Sequence, residues 1–469
     1  MQKDNTFLGK EPVGRLLWKL AIPTIAAQLI NMLYNIVDRV YIGRINGYAL
    51  TGVGVCLPII MIVSAFAALA SSGGAPRASI CMGRGDNETA EQIMGSCFTL
   101  QLIISAILTA FLLAFSRDLL LAFGASADTV DYADSYLRIY AIGTLFVQLT
   151  LGMNAYITAQ GFSRQGMITV LVGAAVNIAL DPVFIFALDM GVAGAALATV
   201  ISQGVSCALV VIFLTGRKTH LRLRLSNMRL RPRLILPSVA LGLAPFIMQS
   251  SESIISVCFN TSLLKYGGDI AVGAMTILTS VMQFAMLPLQ GLAQGAQPIT
   301  GYNYGSKDAC RVRKTFSLLL KCSLIYSTAL WAFIMLAPSL FAGMFTSEPE
   351  LLEFTNGALR IYCAVLLIFG IQIACQMTFV SLGKATSSII VAVVRKFALL
   401  LPLIYLLPAF AEGNYEKTML IYTAEPVADI IAVSFTAVLF FFQFRHALRK
   451  IESSDLSCSR KSHGNNAGG

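Results

Sequence analysis

Acidic side chains occur inside otherwise apolar stretches of this 469-residue sequence. The acids placed in this way are Asp38, Asp181, Glu252, Glu425 and Asp429. A charged group at membrane depth is costly, and such groups most often mark ion or substrate pathways. The chemistry that a carboxyl group offers there is reversible binding of a proton or a small cation, because burial in an apolar environment disfavours the bare anion.

Two of these acids share a helical face with a second polar side chain. Tyr34 lies four residues before Asp38, and Asn177 lies four residues before Asp181. Residues four apart are neighbours on a helix surface. Pro182 follows directly and has no N–H group, so the carbonyl one turn earlier is predicted to lose its helical partner and the helix to kink.

The first-half acids and one threonine are predicted to lie at a common depth. Asp38 lies about eight residues before the next turn, whereas Asp181 and Thr199 lie nine residues to either side of another turn on the same membrane face. At 1.5 Å per residue, all three lie roughly 12–14 Å below that face. The predicted polar cluster comprises Asp38, Asn177, Asp181 and Thr199. The alternative is that Asp38 is interfacial beside Arg39 and that Asp181 only caps a kinked helix.

The second-half acids have other candidate roles. Glu252 lies in a short polar stretch and could be a second titratable site, a contact for a cation, or a structural hydrogen bond to a neighbouring helix. Glu425 and Asp429 are one turn apart and could neutralise Arg395 and Lys396 of the preceding apolar run. We favour a structural ion-pair network for these four residues.

Membrane-spanning helices must position these side chains. Hydrophobic residues make up 56% of the sequence, charged residues 12%, and the mean hydropathy is +0.73. A soluble domain carries about 25% charged residues, and a spanning helix needs roughly 20 mostly apolar residues. The twelve predicted spans are 16–42, 50–75, 93–116, 134–158, 167–188, 192–214, 235–264, 271–296, 315–337, 356–381, 387–410 and 418–444.

The second half of the sequence repeats the first at a spacing of 222 residues. Residues 137–140 return unchanged as 359–362, and Gly161 returns as Gly383. Six spans per repeat is an even number, so both repeats enter the membrane in one orientation. We therefore predict an all-α polytopic membrane protein with twelve transmembrane helices in two like-oriented six-helix bundles. The polar cluster itself is not repeated: its four positions become Asn260, Leu399, Leu403 and Ile421.

Basic residues predict the orientation and the domain boundaries. With the N-terminus inside, the outer loops carry only Arg44, Arg117, Lys265 and Lys417, so we expect both termini in the cytoplasm. Residues 1–19 are polar and precede a full span, so we expect no cleavable signal. The basic residues on the cytoplasmic side then explain the net charge of +10 without a nucleic-acid partner. The predicted parts are an N-terminal bundle (1–215), a basic cytoplasmic connector (216–234), a C-terminal bundle (235–452) and a disordered cytoplasmic tail (453–469).

The connector has two interpretations. It contains seven basic residues and no acid, namely Arg217, Lys218, Arg222, Arg224, Arg229, Arg231 and Arg233. An orientation signal and linker is the favoured interpretation. Binding to anionic lipid is the alternative.

The whole chain resembles the multidrug and toxic compound extrusion (MATE) family. Twelve spans, the 6+6 repeat and the segments 21–23, 159–161 and 181–182 carry the resemblance. It implies that the first-half cluster is similar to the N-lobe acidic site of the DinF-like branch, with Asn154 as a further polar position. Pro23 resembles the proline about which the first helix of that branch bends. Glu252 matches a helix-seven glutamate of the NorM-like branch, whose helix-ten acid has no counterpart here.

The resemblance implies export of organic cations and other amphipathic small molecules by antiport with H⁺ or Na⁺. Protonation of the cluster would favour release of a bound cation, and the oxygens of Asp38, Asn177, Asp181 and Thr199 could instead coordinate Na⁺. We expect a monomer in the plasma (inner) membrane, with no cofactor besides the coupling ion and no partner besides substrate and lipid bilayer.

Other classes of protein fit the sequence less well. A lipid-linked oligosaccharide flippase of the related superfamily is the nearest alternative, but we expect such a cavity to be lined with bases. We do not expect an enzyme, because HExxH and GxSxG motifs are absent from the sequence. An ATP-driven pump would need a Walker A motif, which the sequence also lacks.

Overall fold

The computed structural model describes residues 7–346 and 348–464, which form helices and turns without strands. We name the spanning helices α1 to α12 in chain order, and each overlaps one predicted span. They are Val13–Gly43 (α1), Gly47–Gly83 (α2), Asn87–Ala122 (α3), Val130–Ala159 (α4), Ser163–Ala187 (α5), Gly191–Thr215 (α6), 232–267 (α7), 269–305 (α8), Ala309–Leu336 (α9), the bent pair Pro349–Tyr362 and Leu366–Ser381 (α10), Ala385–Phe410 (α11) and Asn414–Gly464 (α12).

Helices α7 and α8 are two spans of one helical stretch of 74 residues. Its backbone is helical except at Gly268, where φ is 65° and ψ is −161°. A straight helix of this length would measure about 110 Å, several times the thickness of a bilayer core. Both ends nevertheless pack closely on α2. A Cβ on Gly73 would overlap the start of α7, and a Cβ on Gly83 would overlap Tyr302 of α8. The chain therefore reverses at Gly268.

The sequence repeat is also a repeat of local structure. Asp86 caps the start of α3 and Asp308 caps the start of α9; each side chain accepts a hydrogen bond from the backbone N–H three residues later, at 3.0 and 2.9 Å. The residues before them, Gly85 and Lys307, both have positive φ, at 81° and 65°. Helices α1–α6 and α7–α12 thus form two equivalent six-helix bundles, which we call the N-lobe and the C-lobe.

The two lobes meet along α1 and α2 on one side and α7 and α8 on the other. The Thr24 hydroxyl donates to the Gly291 carbonyl at 2.6 Å, and the Gln28 amide donates to Gln294 Oε1 at 3.2 Å. Glycine lets the backbones approach closely, because a Cβ on Gly242 would overlap the backbone of α2. Small residues allow this kind of packing between spanning helices.

The contacts between the lobes lie at one end of the helices. On α1 they extend to Gln28, on α2 they begin at Phe66, on α7 they end at Phe246 and on α8 they begin at Gly291. Within the described residues, the interlobe hydrogen bonds, ring contacts and glycine approaches therefore lie in the half nearer the termini. These contacts close the cleft between the lobes on the terminus side; none of them joins the described residues on the opposite side, which we call the open side.

The two non-spanning segments differ in how much of them the structure describes. The connector runs from 216 to 231, because α7 begins at Pro232 rather than after residue 234. The backbone of α12 is helical to Gly464, whereas the side chains from 453 onward and residues 465–469 lie outside the described part. The predicted disorder of residues 465–469 lies outside the described residues, whereas the backbone of 453–464 is helical.

Candidate functional site

Three N-lobe helices bring polar side chains together near the open end of the cleft. Asp38 lies on α1, Asn177 and Asp181 lie on α5, and Thr199 lies on α6. Asp181 is fully buried, and Asp38 is 8% exposed. The Asn177 amide faces both neighbours, with Nδ2 at 3.4 Å from Asp181 Oδ1 and 3.5 Å from Thr199 Oγ1. Asp38 and Asp181 are close enough for their charges to interact.

This cluster contains more hydrogen-bond acceptors than donors. Among the described residues, Asp38 Oδ1, Asn177 Oδ1 and Asp181 Oδ2 have no hydrogen-bond partner. Arg39 is exposed, and no ion pair joins it to Asp38 in the described part of the chain. A buried carboxylate oxygen without a donor is costly. The arrangement therefore favours an added proton or cation, and the burial of Asp38 argues against an interfacial position.

Tyrosines surround the cluster, and sequence reasoning identified only one of them. Tyr34 is half-buried one turn before Asp38 and within range of its charge. Tyr136 and Tyr140 of α4 are buried, and their rings stack at 6.3 Å. Tyr136 faces Asp38 and Thr199, and Tyr140 faces Tyr34. The sequence contained one signal for Tyr140, because this residue ends the segment 137–140 that is repeated unchanged in the second half.

The site in the N-lobe does not include Asn154. This residue lies on α4 near the terminus side, where its Nδ2 is 3.4 Å from the Gly166 carbonyl of α5. About 14 residues, or roughly 21 Å of helix, separate it from Tyr140. Asn154 therefore packs the turn between α4 and α5, and the polar position that the resemblance implied is not part of the cluster.

The two prolines of interest take different local structures. Pro182 ends the α-helical part of α5, and a π-helical turn, Val183–Ala187, follows it. The predicted irregularity is thus a widened turn directly beside Asp181. Pro23 lies inside α1, which remains helical through this position, and the next residue, Thr24, bonds to α8.

The equivalent place in the C-lobe is apolar. Ile421 is fully buried in the C-lobe core, and Leu399 and Leu403 pack against the same core. Asn260, at the position equivalent to Asp38, is half-buried on α7. The C-lobe therefore folds as an equivalent bundle without acids at these positions, which shows that the acids are not needed to build it.

The C-lobe instead holds a charged network on neighbouring turns of the same helices. Arg395 Nε donates to Asp429 Oδ1 at 2.7 Å, and its Nη2 donates to Glu425 Oε1 at 2.8 Å. All three side chains are less than 10% exposed. The guanidinium group also lies 4.9 Å from the ring centre of Phe369. The predicted ion pairs of Arg395 are present.

Lys396 has a different partner from the predicted one. Its Nζ donates to Glu252 Oε1 of α7 at 2.7 Å, rather than to an acid of α12. The two basic residues are consecutive in a π-helical turn, Val394–Leu400, and therefore point to different sides of α11. Arg395 faces α12 and Lys396 faces α7.

Glu252 combines a buried partner with an exposed carboxylate. Its side chain is 56% exposed, whereas that of Lys396 is 4% exposed. Gln249, Glu252, Ser256 and Asn260 follow one face of α7, while Ile254 and Val257 form a separate exposed apolar face. The apolar face suits lipid, and on the polar face Glu252 meets Lys396 of α11. Glu252 thus lies in the C-lobe, apart from the N-lobe cluster.

Comparison with known proteins gives matches over most of the chain. The MatE family model matches once in each lobe, over residues 23–183 and 244–406. Multidrug export protein MepA of Staphylococcus haemolyticus (strain JCSC1435) is 23% identical over 409 residues, covering 87% of this chain and 90% of that protein. MepA of Staphylococcus saprophyticus is 20% identical over 447 residues, covering 95% and 98%.

Solved structures share the fold at low sequence identity. A MATE transporter in the bent conformation superposes with a TM-score of 0.88 at 23% identity, covering 97% of this chain and 100% of that one. The outward-facing conformation of a multidrug resistance MATE transporter gives 0.86 at 24% identity, covering 94% and 98%. These structures have the two-bundle, twelve-helix architecture described above. Because the MatE model matches both lobes, the chain belongs to the MATE family of transporters.

Proposed function

We propose that this protein is a secondary active multidrug efflux transporter, which exports organic cations and other amphipathic compounds in exchange for H⁺ or Na⁺. Membership of the MATE family and the names of the MepA relatives support multidrug export. The single observation that carries the coupling proposal is the pair of buried acids Asp38 and Asp181, each with a carboxylate oxygen that has no hydrogen-bond donor within the described part of the chain.

The cluster would couple the ion to the drug through charge. When Asp38 and Asp181 are ionised, a cationic substrate compensates their charge, since no base among the described residues forms an ion pair with either acid. Protonation removes that charge and weakens the binding of the cation. In the Na⁺ version of the exchange, the oxygens of Asp38, Asn177, Asp181 and Thr199 would bind the ion in place of the proton, since Na⁺, like other hard cations, takes oxygen ligands.

The closed terminus side and the open opposite side give the proposal a direction. With both termini in the cytoplasm of a plasma-membrane protein, the cleft opens outward. In this state an external proton or Na⁺ reaches the N-lobe cluster and favours release of the drug to the outside. Rocking of the two lobes about their interface would then expose the cluster to the inside, where the ion leaves and a new substrate binds.

The test is transport by purified protein in proteoliposomes loaded with a fluorescent organic cation. A proton gradient and a sodium gradient are imposed separately, and we expect one of them to drive movement of the dye. Asp181→Asn should abolish gradient-driven transport, because it removes the buried charge while preserving the shape of the side chain. Asp38→Asn should have a similar effect.

The matched control is Asn260→Ala, at the position equivalent to Asp38 in the other lobe. It should have a milder effect than either N-lobe variant. Undiminished transport by reconstituted Asp181→Asn would reject this carboxylate as the coupling group. If neither gradient moves the dye through the wild-type protein, the antiport proposal itself fails.

A further inference from the structure

The connector between the lobes is a folded strap rather than a loose linker. Gln160 Oε1, at the turn between α4 and α5, accepts hydrogen bonds from the Thr219 hydroxyl and from the N–H groups of His220 and Leu221, at 2.7–2.9 Å. Leu221 is fully buried and Leu223 is 6% exposed, and both pack in an N-lobe core formed with α3 and α4. The connector is therefore fixed to the N-lobe at its first half.

Glu91 at the start of α3 fixes the middle of the connector. Its carboxylate accepts from the Arg222 N–H at 2.9 Å and from the Asn227 amide at 3.3 Å. It also lies 3.7 Å from Arg224 Nε. Leu221 and Leu223 thus point into the N-lobe, and Arg224 lies beside Glu91.

The second half of the connector lies at the depth where a span begins. The Ser96 hydroxyl donates to the Arg229 carbonyl at 2.8 Å, and the Thr99 hydroxyl donates to the Met228 carbonyl at 2.6 Å. A Cβ on Gly95 would overlap the backbone of Asn227. Because the predicted span of α3 begins at residue 93, we place residues 227–229 at the level of the lipid headgroups. The carbonyls of Met228 and Arg229 accept their hydrogen bonds from hydroxyl groups of α3.

The outer face of the connector is basic and carries exposed leucines. Leu225 is 86% exposed and Leu230 is 45% exposed. In the described part of the chain, Arg224 is the only Arg or Lys of the connector that is paired with an acid. The other exposed Arg and Lys side chains of the connector and of the first turn of α7 are Arg217, Lys218, Arg229 and Arg233.

We propose that this face binds the headgroups of anionic phospholipids, with Leu225 and Leu230 inserted at the headgroup–acyl boundary. Clustered basic residues beside a span attract anionic lipid, whose phosphate Arg can bind through two parallel hydrogen bonds. An orientation signal alone requires basic residues at the right end of a span, but it requires neither a fixed backbone nor exposed leucines at headgroup depth. This inference does not depend on the drug or on the coupling ion.

The first test measures depth. A nitroxide label is placed at Leu225→Cys on a cysteine-free background, and the protein is reconstituted in vesicles of phosphatidylglycerol and phosphatidylcholine. The label should be accessible to oxygen dissolved in the bilayer and protected from a water-soluble nickel complex. A label at Lys307→Cys, on an exposed turn of the C-lobe at the same end, is the control. Equal access of the nickel complex to both labels would overturn insertion of the connector.

The second test measures lipid preference. The association of phosphatidylglycerol relative to phosphatidylcholine is measured on detergent-solubilised protein by native mass spectrometry. Removing Arg217, Arg229 and Arg233 by substitution with Gln should lower this preference by about fivefold per residue, or roughly a hundredfold for all three. The matched control removes the same charge elsewhere at this end, through Lys307→Gln, Arg313→Gln and Lys314→Gln, and should retain the preference.

Two outcomes would refute lipid recognition. An equal loss in the triple variant and its matched control would show that net charge, rather than the folded connector, attracts the lipid. Displacement of phosphatidylglycerol by an equal concentration of glycerol phosphate would show that the surface binds a soluble anion and not a membrane headgroup.

Discussion

Drug binding to the N-lobe cluster should weaken as the pH falls. The perturbation is acidification, which protonates Asp38 and Asp181 and removes the charge that a cationic drug would compensate. No basic side chain forms an ion pair with either acid among the described residues. The affinity should therefore be highest where both carboxyl groups are ionised and should fall through the pH range in which they take up protons.

The size of the effect follows from the number and closeness of the carboxyl groups. Each proton released on binding changes the dissociation constant by up to about tenfold per pH unit, or about 1.4 kcal/mol. A single cation about 4 Å from one carboxylate, at an effective dielectric constant of about 20, gains about 4 kcal/mol. Loss of one such interaction should therefore weaken the affinity for the cation by roughly a thousandfold at most. Because Asp38 and Asp181 interact, they should titrate as a coupled pair.

The assay is equilibrium binding of a permanently charged fluorescent dye to purified protein across pH. Calorimetry in two buffers of different ionisation enthalpy should detect protons released when the dye binds, since linkage requires the effect to be reciprocal. Asp38→Asn and Asp181→Asn should each reduce both the pH dependence and the proton release. Asn260→Ala is the control and should retain them. A wild-type affinity that does not change with pH would refute direct competition and would favour Na⁺ coupling or a C-lobe site at Glu252.

Three further predictions concern the scaffold. Single cysteines placed in the connector (216–231) on a cysteine-free background should resist an impermeant thiol reagent in intact cells, and ready labelling would reverse the assigned orientation. Arg395→Met should destabilise the purified protein by about 3–5 kcal/mol, because it leaves two buried carboxylates unpaired. Thermal unfolding should show this loss, and adding Glu425→Gln and Asp429→Asn should restore stability. Failure of the added changes to restore stability would contradict the ion-pair explanation. Gly73→Val should force the terminus-side ends of the lobes apart, because a Cβ there overlaps the backbone of α7. The distance between spin labels at Glu88 and Lys307 should therefore increase. An unchanged distance would refute the tight interface.

Much of the site could be found in the sequence because helical geometry is regular. A fixed rise per residue placed Asp38, Asp181 and Thr199 at one depth, and the four-residue spacing placed Asn177 beside Asp181. The structure brings these four together. Tyr136 and Tyr140 were missed, because nothing in the spacing of one helix indicates which face of it meets another helix. Asn154 lies outside the cluster for a different reason, because it is about 14 residues, or roughly 21 Å of helix, from Tyr140 on α4.

The spans, the 6+6 repeat and the candidate acids could be identified in the sequence, since apolar length and helical periodicity are local properties. The folded structure was needed to show that Lys396 pairs with Glu252, that the connector is fixed to the N-lobe, and that the described contacts between the lobes lie on the terminus side. Each of these depends on which helices pack together and at what angle. Partners such as Glu252 and Lys396 lie more than a hundred residues apart, and their meeting is set by side-chain packing between helices.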